Sequence, residues 1–239
     1  VEGQLIDDQI NIAMEEIRED FDRIALLTEH HGGAGDLYHS YVRRQLPQQC
    51  ENALEIGCGT GEFTRQLATR AASVMAVDLS PQMIRLARQQ STAYPNIEYM
   101  MGDVMRLSLP AEHYDCIVSL ATLHHLQMEQ ALSKMKDALK PGGVLIIHDL
   151  LAEDGLIDMA ISASAYPVSA ARRFWKTGRL RAPREVREAW REHGKGEVYL
   201  TPNGVREMCR RYLPGAKIRR HLLWRYTVVW PSARRGVTG

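Results

Sequence analysis

Glu55-Ile56-Gly57-Cys58-Gly59-Thr60-Gly61 sets one carboxylate and three glycines at a spacing suited to ligand binding. Glycine tolerates positive φ and lets a ligand approach the backbone closely. A strand that enters such a turn and leaves it as a helix gathers backbone N–H groups and a positive dipole end in one place. Alone, this indicates only a nucleotide-like ligand. The spacing narrows the choice. A dinucleotide fingerprint, G-x-G-x-x-G, needs Gly at position 62, where this chain has Glu62, and the Gly-Lys-Ser/Thr of a triphosphate-binding loop is absent. The pattern is E-x-G-x-G-x-G, and Glu55 would repel a pyrophosphate while suiting a cation. Asp78 and Asp103 each follow a short apolar run. A carboxylate there can accept from ligand hydroxyls or amines, or cap the next turn. Leu123-His124-His125-Leu126 and His148-Asp149 follow later runs, and their imidazoles titrate near neutrality.

For these groups to meet, the apolar runs must be strands ending on one side of a sheet. Residues 53–56, 74–77, 97–100, 115–120 and 144–147 read as strands, alternating with helices at 61–70, from Ser80-Pro81 onward, and at 127–139. That alternation implies βαβ crossovers and a parallel sheet covered on both faces. Ahead of it, Ile6, Ile10, Met14, Ile17, Phe21 and Ile24 recur at helical steps over 6–24. A Gly-rich break at 30–35 and a short helix through Tyr38, Tyr41 and Val42 come next. After Asp149 the alternation stops. A small apolar stretch, an Arg- and Lys-rich stretch and a helix opened by Thr201-Pro202 follow. Two closing strands, near 216–221 and 224–230, are joined too tightly for a crossover and must be antiparallel. The expected organisation is a helical cap at 1–48, a core at 49–150 with 214–239, and a lid insertion at 151–213.

The composition fits one α/β domain with decorations. The 239 residues are 45% apolar and 25% charged, ordinary for a globular protein and suggesting neither disorder nor a membrane class. Thirty basic against 29 acidic side chains give a net charge of +1, too little for a whole-molecule field that gathers nucleic acid. No apolar run reaches the roughly 18 residues of a spanning helix. The opening Val1-Glu2-Gly3-Gln4 lacks the basic-then-apolar order of a secretory signal. Cysteines at 50, 58, 116 and 209 show neither paired nor metal-type spacing. A cytoplasmic setting, without membrane attachment, and a monomer or homodimer are expected.

S-adenosylmethionine, with a sulfonium, an ammonium and no phosphate, meets the charge requirement of the Glu55 loop. The loop, Asp78, Gly102-Asp103 and Leu139-Lys140-Pro141-Gly142-Gly143 together resemble the class I S-adenosylmethionine-dependent methyltransferases, most closely the ubiquinone/menaquinone-type and small-molecule group. The resemblance covers roughly residues 52–150. It implies a Rossmann-like, doubly wound seven-stranded sheet, mostly parallel with a reversed last strand, and S-adenosylhomocysteine as product. It also implies roles by position. Glu55, Gly57, Cys58, Gly59 and Gly61 would hold the methionine and ribose part, and Asp78 would accept both ribose hydroxyls. Leu79 and Met83 would flank the adenine, Asp103 would accept from its amine, and Val104 and Met105 would close over the ring. Ser119 and Leu120 lie where a strand-four carbonyl receives the methionine ammonium.

A sulfonium is already a good leaving group, so methyl transfer needs mainly alignment and exclusion of water. A base matters when the acceptor is an O–H or N–H, and His124, His148 and Asp149 are the candidates. His148 with Asp149 could ligate a metal, but no third acid or His stands at convincing spacing, so none is expected. Tyr38, Trp175 and Arg225 are expected to face the acceptor. Nine basic residues between 172 and 195 could recognise an anionic acceptor or RNA, or form a solvated helical face with Glu185, Glu188 and Glu192. The leading reading is transfer to a small-molecule O, N or C nucleophile, with nucleic acid not expected as a partner on grounds of charge. Alternatives are a tRNA-modifying enzyme, whose branch Ser119–Leu126 also resembles, and a non-catalytic cofactor-binding module.

Overall fold

The computed structural model describes residues 2–31, 38–152 and 166–233. Seven strands form one sheet: β1 (Cys50–Ile56), β2 (Ala71–Asp78), β3 (Ile97–Met101), β4 (Tyr114–Leu120), β5 (Leu139–Leu150), β6 (Lys217–His221) and β7 (Arg225–Pro231). Their order is β3-β2-β1-β4-β5-β7-β6. The first five strands pair in parallel, and β7 runs antiparallel to both β5 and β6. The sheet is therefore mostly parallel with a reversed last strand.

Strands covered on both faces carry continuous apolar runs, since neither side meets water. Ala53, Val74, Cys116, Val118 and Ile146 pack beneath α2 (His39–Gln45) and α3 (Glu62–Leu67), through Val42, Leu46, Phe63 and Leu67. The alternate residues Leu54, Ile56, Ile117, Leu145 and Ile147 face the other way, towards α5 (Met128–Ala138). On the first face α4 (Pro81–Gln90) packs Ile84 and Ala87 against Ala76 and Tyr99. Ser80 caps it, accepting from the Met83 N–H at 3.0 Å.

The N-terminal helix α1 (Glu2–His31) outlasts the expected 6–24. Its apolar repeat continues through Ile24, Ala25 and Leu27, which pack on Met83, Leu86 and Ala189. The glycines at 32, 33 and 35 lie outside the described residues. Pro141-Gly142-Gly143, expected as a turn, is carried within β5. Pairing slips between Tyr114↔Leu139 and Cys116↔Val144, so the extra residues are accommodated as a bulge.

The segment expected as a lid divides in two. Helix α6 (Tyr166–Thr177) reaches the site through Arg173 and α7 (Arg184–His193) packs against α1, while α8 (Pro202–Tyr212) joins the core. Val205, Met208 and Cys209 of α8 are buried with Leu132, Met135 and Trp230. The chain returns to the core before residue 213 because α8 presents an apolar stripe that covers β7. Among the described residues no helix is long and apolar enough to cross a membrane.

Candidate active site

The strand order reverses direction between β1 and β4, and open α/β sheets bind ligands in the crevice beyond the strand ends at such a point. A cavity of about 520 Å³ opens there. Its floor is Glu55, Gly57, Cys58, Gly59 and Thr60 at the end of β1, Asp78 and Leu79 at the end of β2, and Leu120, Ala121 and Thr122 at the end of β4. Met14, Ile17, Phe21 and Ile24 of α1 wall one side, and Arg173, Val186 and Trp190 of α6 and α7 another.

The glycine loop is shaped by its surroundings. Gly57, Gly59 and Gly61 all have positive φ, at 74°, 51° and 73°. A Cβ at Gly57 would fall 1.9 Å from Thr122 Oγ1, whereas one at Gly59 would meet nothing within 4 Å. Gly57 thus admits its neighbour, and Gly59 leaves backbone open to whatever enters. The N–H groups of Gly57 and Cys58 both bond the Val77 carbonyl, at 2.8 and 3.0 Å, and clamp the loop to β2.

Two carboxylates face this loop. Asp78 Oδ2 accepts from the Gly59 N–H at 2.7 Å and Oδ1 from the Ser80 N–H at 2.9 Å. Each oxygen keeps a further lone pair, so the carboxylate is oriented without being used up. Burial raises its pKa against these hydrogen bonds. Glu55 is 1% exposed, and its Oε2 has no hydrogen-bond partner among the described residues. Burial pushes this carboxyl up to about 8. A buried acid with an orphaned oxygen at the wall of a cavity is suited to a cationic group, which would restore its charge.

The structure distributes the expected residues unevenly. Glu55, Gly57, Cys58, Gly59, Asp78, Leu79, Met83, Leu120 and Arg225 line the cavity. Gly61 starts α3 one step behind it. Asp103 accepts from the Met105 N–H at 2.8 Å and pairs with Arg106, capping its own turn, and Val104 is buried in the core with Met105 packed against it. Ser119 is fully buried within β4. The Leu120 carbonyl already accepts from Thr122 Oγ1 at 2.9 Å.

Of the adjacent histidines, His125 lines the cavity; His124 donates from Nδ1 to Asp149 Oδ1 at 2.6 Å. His124 and Asp149 face a smaller cavity of about 170 Å³, which shares Leu126 with the larger one. His148 Nδ1 lies 2.9 Å from Thr227 Oγ1, and its ring packs on Tyr38 and His221. Tyr38 donates to the Leu222 carbonyl at 2.9 Å. Trp175 is 88% exposed. The sequence favours His124 over His125 and names Arg173 only within a basic stretch, and it does not place Phe21, Thr122 or Trp190 at the cavity. The signal for Phe21 was present, since it belongs to the apolar stripe of α1, but only packing shows that this stripe also roofs the site.

Residues 54–147 match a family model described as a methyltransferase domain. A protein of Mycobacterium tuberculosis described as an uncharacterized methyltransferase is 29% identical over 197 residues, covering 81% of this chain and 93% of the relative. A malonyl-[acyl-carrier protein] O-methyltransferase of Serratia marcescens is 36% identical over 103 residues, 43% of this chain and 39% of the relative. Among solved structures, an S-adenosylmethionine-dependent methyltransferase from Mesorhizobium loti superposes with a TM-score of 0.57 at 20% identity, over 84% of this chain and 98% of that one. At that identity the likeness concerns the fold.

Proposed function

We propose that this chain, a member of the class I S-adenosylmethionine-dependent methyltransferase superfamily, methylates a small, largely apolar acceptor that carries an acidic group. The observation that carries the reading is that one cavity is lined both by the carboxylates Glu55 and Asp78 and by apolar side chains of α1 and α7. The residues fit the cofactor: Glu55 offers an unpartnered buried oxygen to an ammonium, Asp78 offers two oriented oxygens to a diol, and Gly59 leaves room above the loop. Leu79 and Met83 supply apolar surface beside Asp78 for the adenine. Bound there, S-adenosylmethionine supplies a sulfonium methyl that an acceptor nucleophile can take.

The chain's own contribution is alignment and dryness. Phe21, Ile24, Val186 and Trp190 exclude water from the acceptor's end, and orientation is where most of the rate advantage of such a transfer arises. Arg173 and Arg225 line the same cavity and suit a carboxylate or phosphate on the acceptor. Other basic residues of the 172–195 stretch, including Arg179, Arg181, Arg184, Arg187 and Arg191, are exposed. They fit the solvated face better than an acceptor site. A reducing, cytoplasmic setting suits four cysteines that are all free.

Calorimetry with S-adenosylhomocysteine tests the cofactor half. Wild type should bind, and Asp78→Ala should lose most of the affinity, at least about tenfold for the loss of two charge-assisted hydrogen bonds. Equal affinity in the variant would remove Asp78 from the site. For the acceptor half, release of S-adenosylhomocysteine should be screened against apolar carboxylic acids, apolar phosphates and neutral counterparts. Arg225→Gln should raise KM for the acidic acceptors and leave cofactor affinity unchanged.

A further inference from the structure

We infer that His124, His125, His193 and Glu197 form a site for one divalent transition-metal ion of the zinc class, at the joint between the core and α7. The inference goes beyond methyl transfer and does not depend on it. One donor atom each from His124, His125 and Glu197 lies within 4.8 Å of the other two. His193 approaches the same carboxylate, with Nε2 3.9 Å from Glu197 Oε1.

Three further observations point to a cation at this place. The His125 side chain is only 6% exposed, yet its Nε2 has no partner among the described residues and its Nδ1 meets only the Glu197 carboxylate. The nearby Glu197 Oε1, 3.1 Å from its Nδ1, is placed as a neighbouring ligand would be. Secondly, two of the imidazoles are backed by carboxylates. Asp149 accepts from His124 Nδ1 at 2.6 Å, and Asp20 Oδ2 lies 3.2 Å from His193 Nδ1. Such backing fixes the tautomer that leaves Nε2 as a lone-pair donor, the arrangement found behind metal-bound histidines. Thirdly, His125 Nδ1 and His193 Nε2 converge on one oxygen, Glu197 Oε1, at 3.1 and 3.9 Å, as ligands around a shared cation would. Imidazole with carboxylate is a donor set for zinc and its neighbours rather than for magnesium or calcium.

Ligands about 2.1 Å from an ion stand no more than roughly 4.2 Å from each other. The His125–Glu197 and His193–Glu197 pairs already satisfy that. Within the group of His124, His125 and Glu197, whose donor atoms lie within 4.8 Å of one another, the spacing need close by no more than about 0.6 Å; His193 stands outside that group and must rotate further to join it. The local pattern of the sequence could not reveal the site, because the two adjacent histidines follow β4 while His193 and Glu197 belong to the end of α7 and the turn after it. An ion here would tie α7 to the core, with Phe21 of α1 packed on His125 and His193.

The test uses the untagged full chain, stripped with chelator and titrated with cobalt(II) as a spectroscopic probe. The expected result is one equivalent bound, with the intense visible absorption of a four-coordinate site, displaced by zinc. Glu197→Gln should weaken cobalt binding by at least about tenfold, and Asp149→Asn by about 10–100-fold, as loss of a carboxylate behind a ligand does. Replacing exposed His113 with Ala should change nothing. Affinity for S-adenosylhomocysteine, measured on every variant, reports whether each has folded. Substoichiometric binding, a six-coordinate spectrum, or cobalt affinity unchanged in both Glu197→Gln and His193→Gln would overturn the inference. Cofactor binding without cobalt binding would leave the methyltransferase reading standing alone, and the reverse would leave only the metal site.

Discussion

Glu55 shows how one side chain can couple ligand, proton and stability. Its pKa in the fold is about 8 against an ordinary 4.5, with burial the first cause. At pH 7 the empty protein therefore holds it mostly protonated, and a bound cation favours the carboxylate, so binding should release a proton. Calorimetric enthalpies for S-adenosylhomocysteine at pH 7 should vary with the ionisation enthalpy of the buffer, and Glu55→Gln should reduce that dependence. The raised pKa also fixes a sign for stability. The fold binds this proton more tightly than the unfolded chain, so the empty protein should lose stability as pH rises from about 4.5 to about 8. Thermal scans of wild type and Glu55→Gln should converge at low pH and separate towards pH 8, with the variant higher. At Gly57, an added Cβ would overlap Thr122 and sit at φ 74°. Gly57→Ala should cost about 3 kcal/mol or more from overpacking and backbone strain together. Adding Thr122→Gly should recover the overlap but leave about 1 kcal/mol of strain, which urea denaturation of the double mutant can read.

Helix α1 reaches the core through polar contacts as well as its apolar stripe. Asp22 Oδ1 accepts from Ser80 Oγ at 2.5 Å and from the Gln82 N–H at 3.2 Å, so α1 supplies an acid to the first turn of α4. Ion pairs Arg85–Glu29, at 2.7 Å, and Arg23–Glu192, at 2.8 Å, join α1 to α4 and α7 but are substantially exposed and add little. Asp22→Ala should lower stability by about 1–2 kcal/mol through the lost cap and dipole contact. Arg23→Ala should lower it by less than about 1 kcal/mol. Equal losses in denaturation would mean that surface pairing, and not the cap, holds α1 in place. The polarity of α6 fits the same arrangement: Arg173 turns towards the cavity while Phe174 and Trp175 are exposed.

For the molecule as a whole, charge argues against a nucleic-acid substrate. The net charge is +1, and the basic face of α7 is interrupted by its own acids, with Arg184 paired to Glu188 at 2.7 Å and Arg23 to Glu192. Nucleic-acid affinity comes chiefly from phosphate neutralisation and falls steeply with salt. A gel shift with transfer RNA at about 0.15 M salt should therefore show no complex, and a retarded band that persists there would reopen the RNA reading. The sequence by itself determined the parallel sheet, the loop at Glu55–Gly61 and Asp78 at the end of β2. Those features are local: a strand buried on both faces, a turn that needs glycine and an acid beside it are each written in a few consecutive residues. Helix length and the place of α8 were less legible, because an apolar stripe does not say which surface it covers. Only the tertiary structure decided that His125 rather than His124 meets the large cavity, that Asp103 caps its own turn, and that Phe21 and Trp190 wall the site. It alone brought His193 and Glu197 to the two histidines after β4. Side-chain direction after a tight turn, and contact between distant segments, depend on packing that no local spacing encodes.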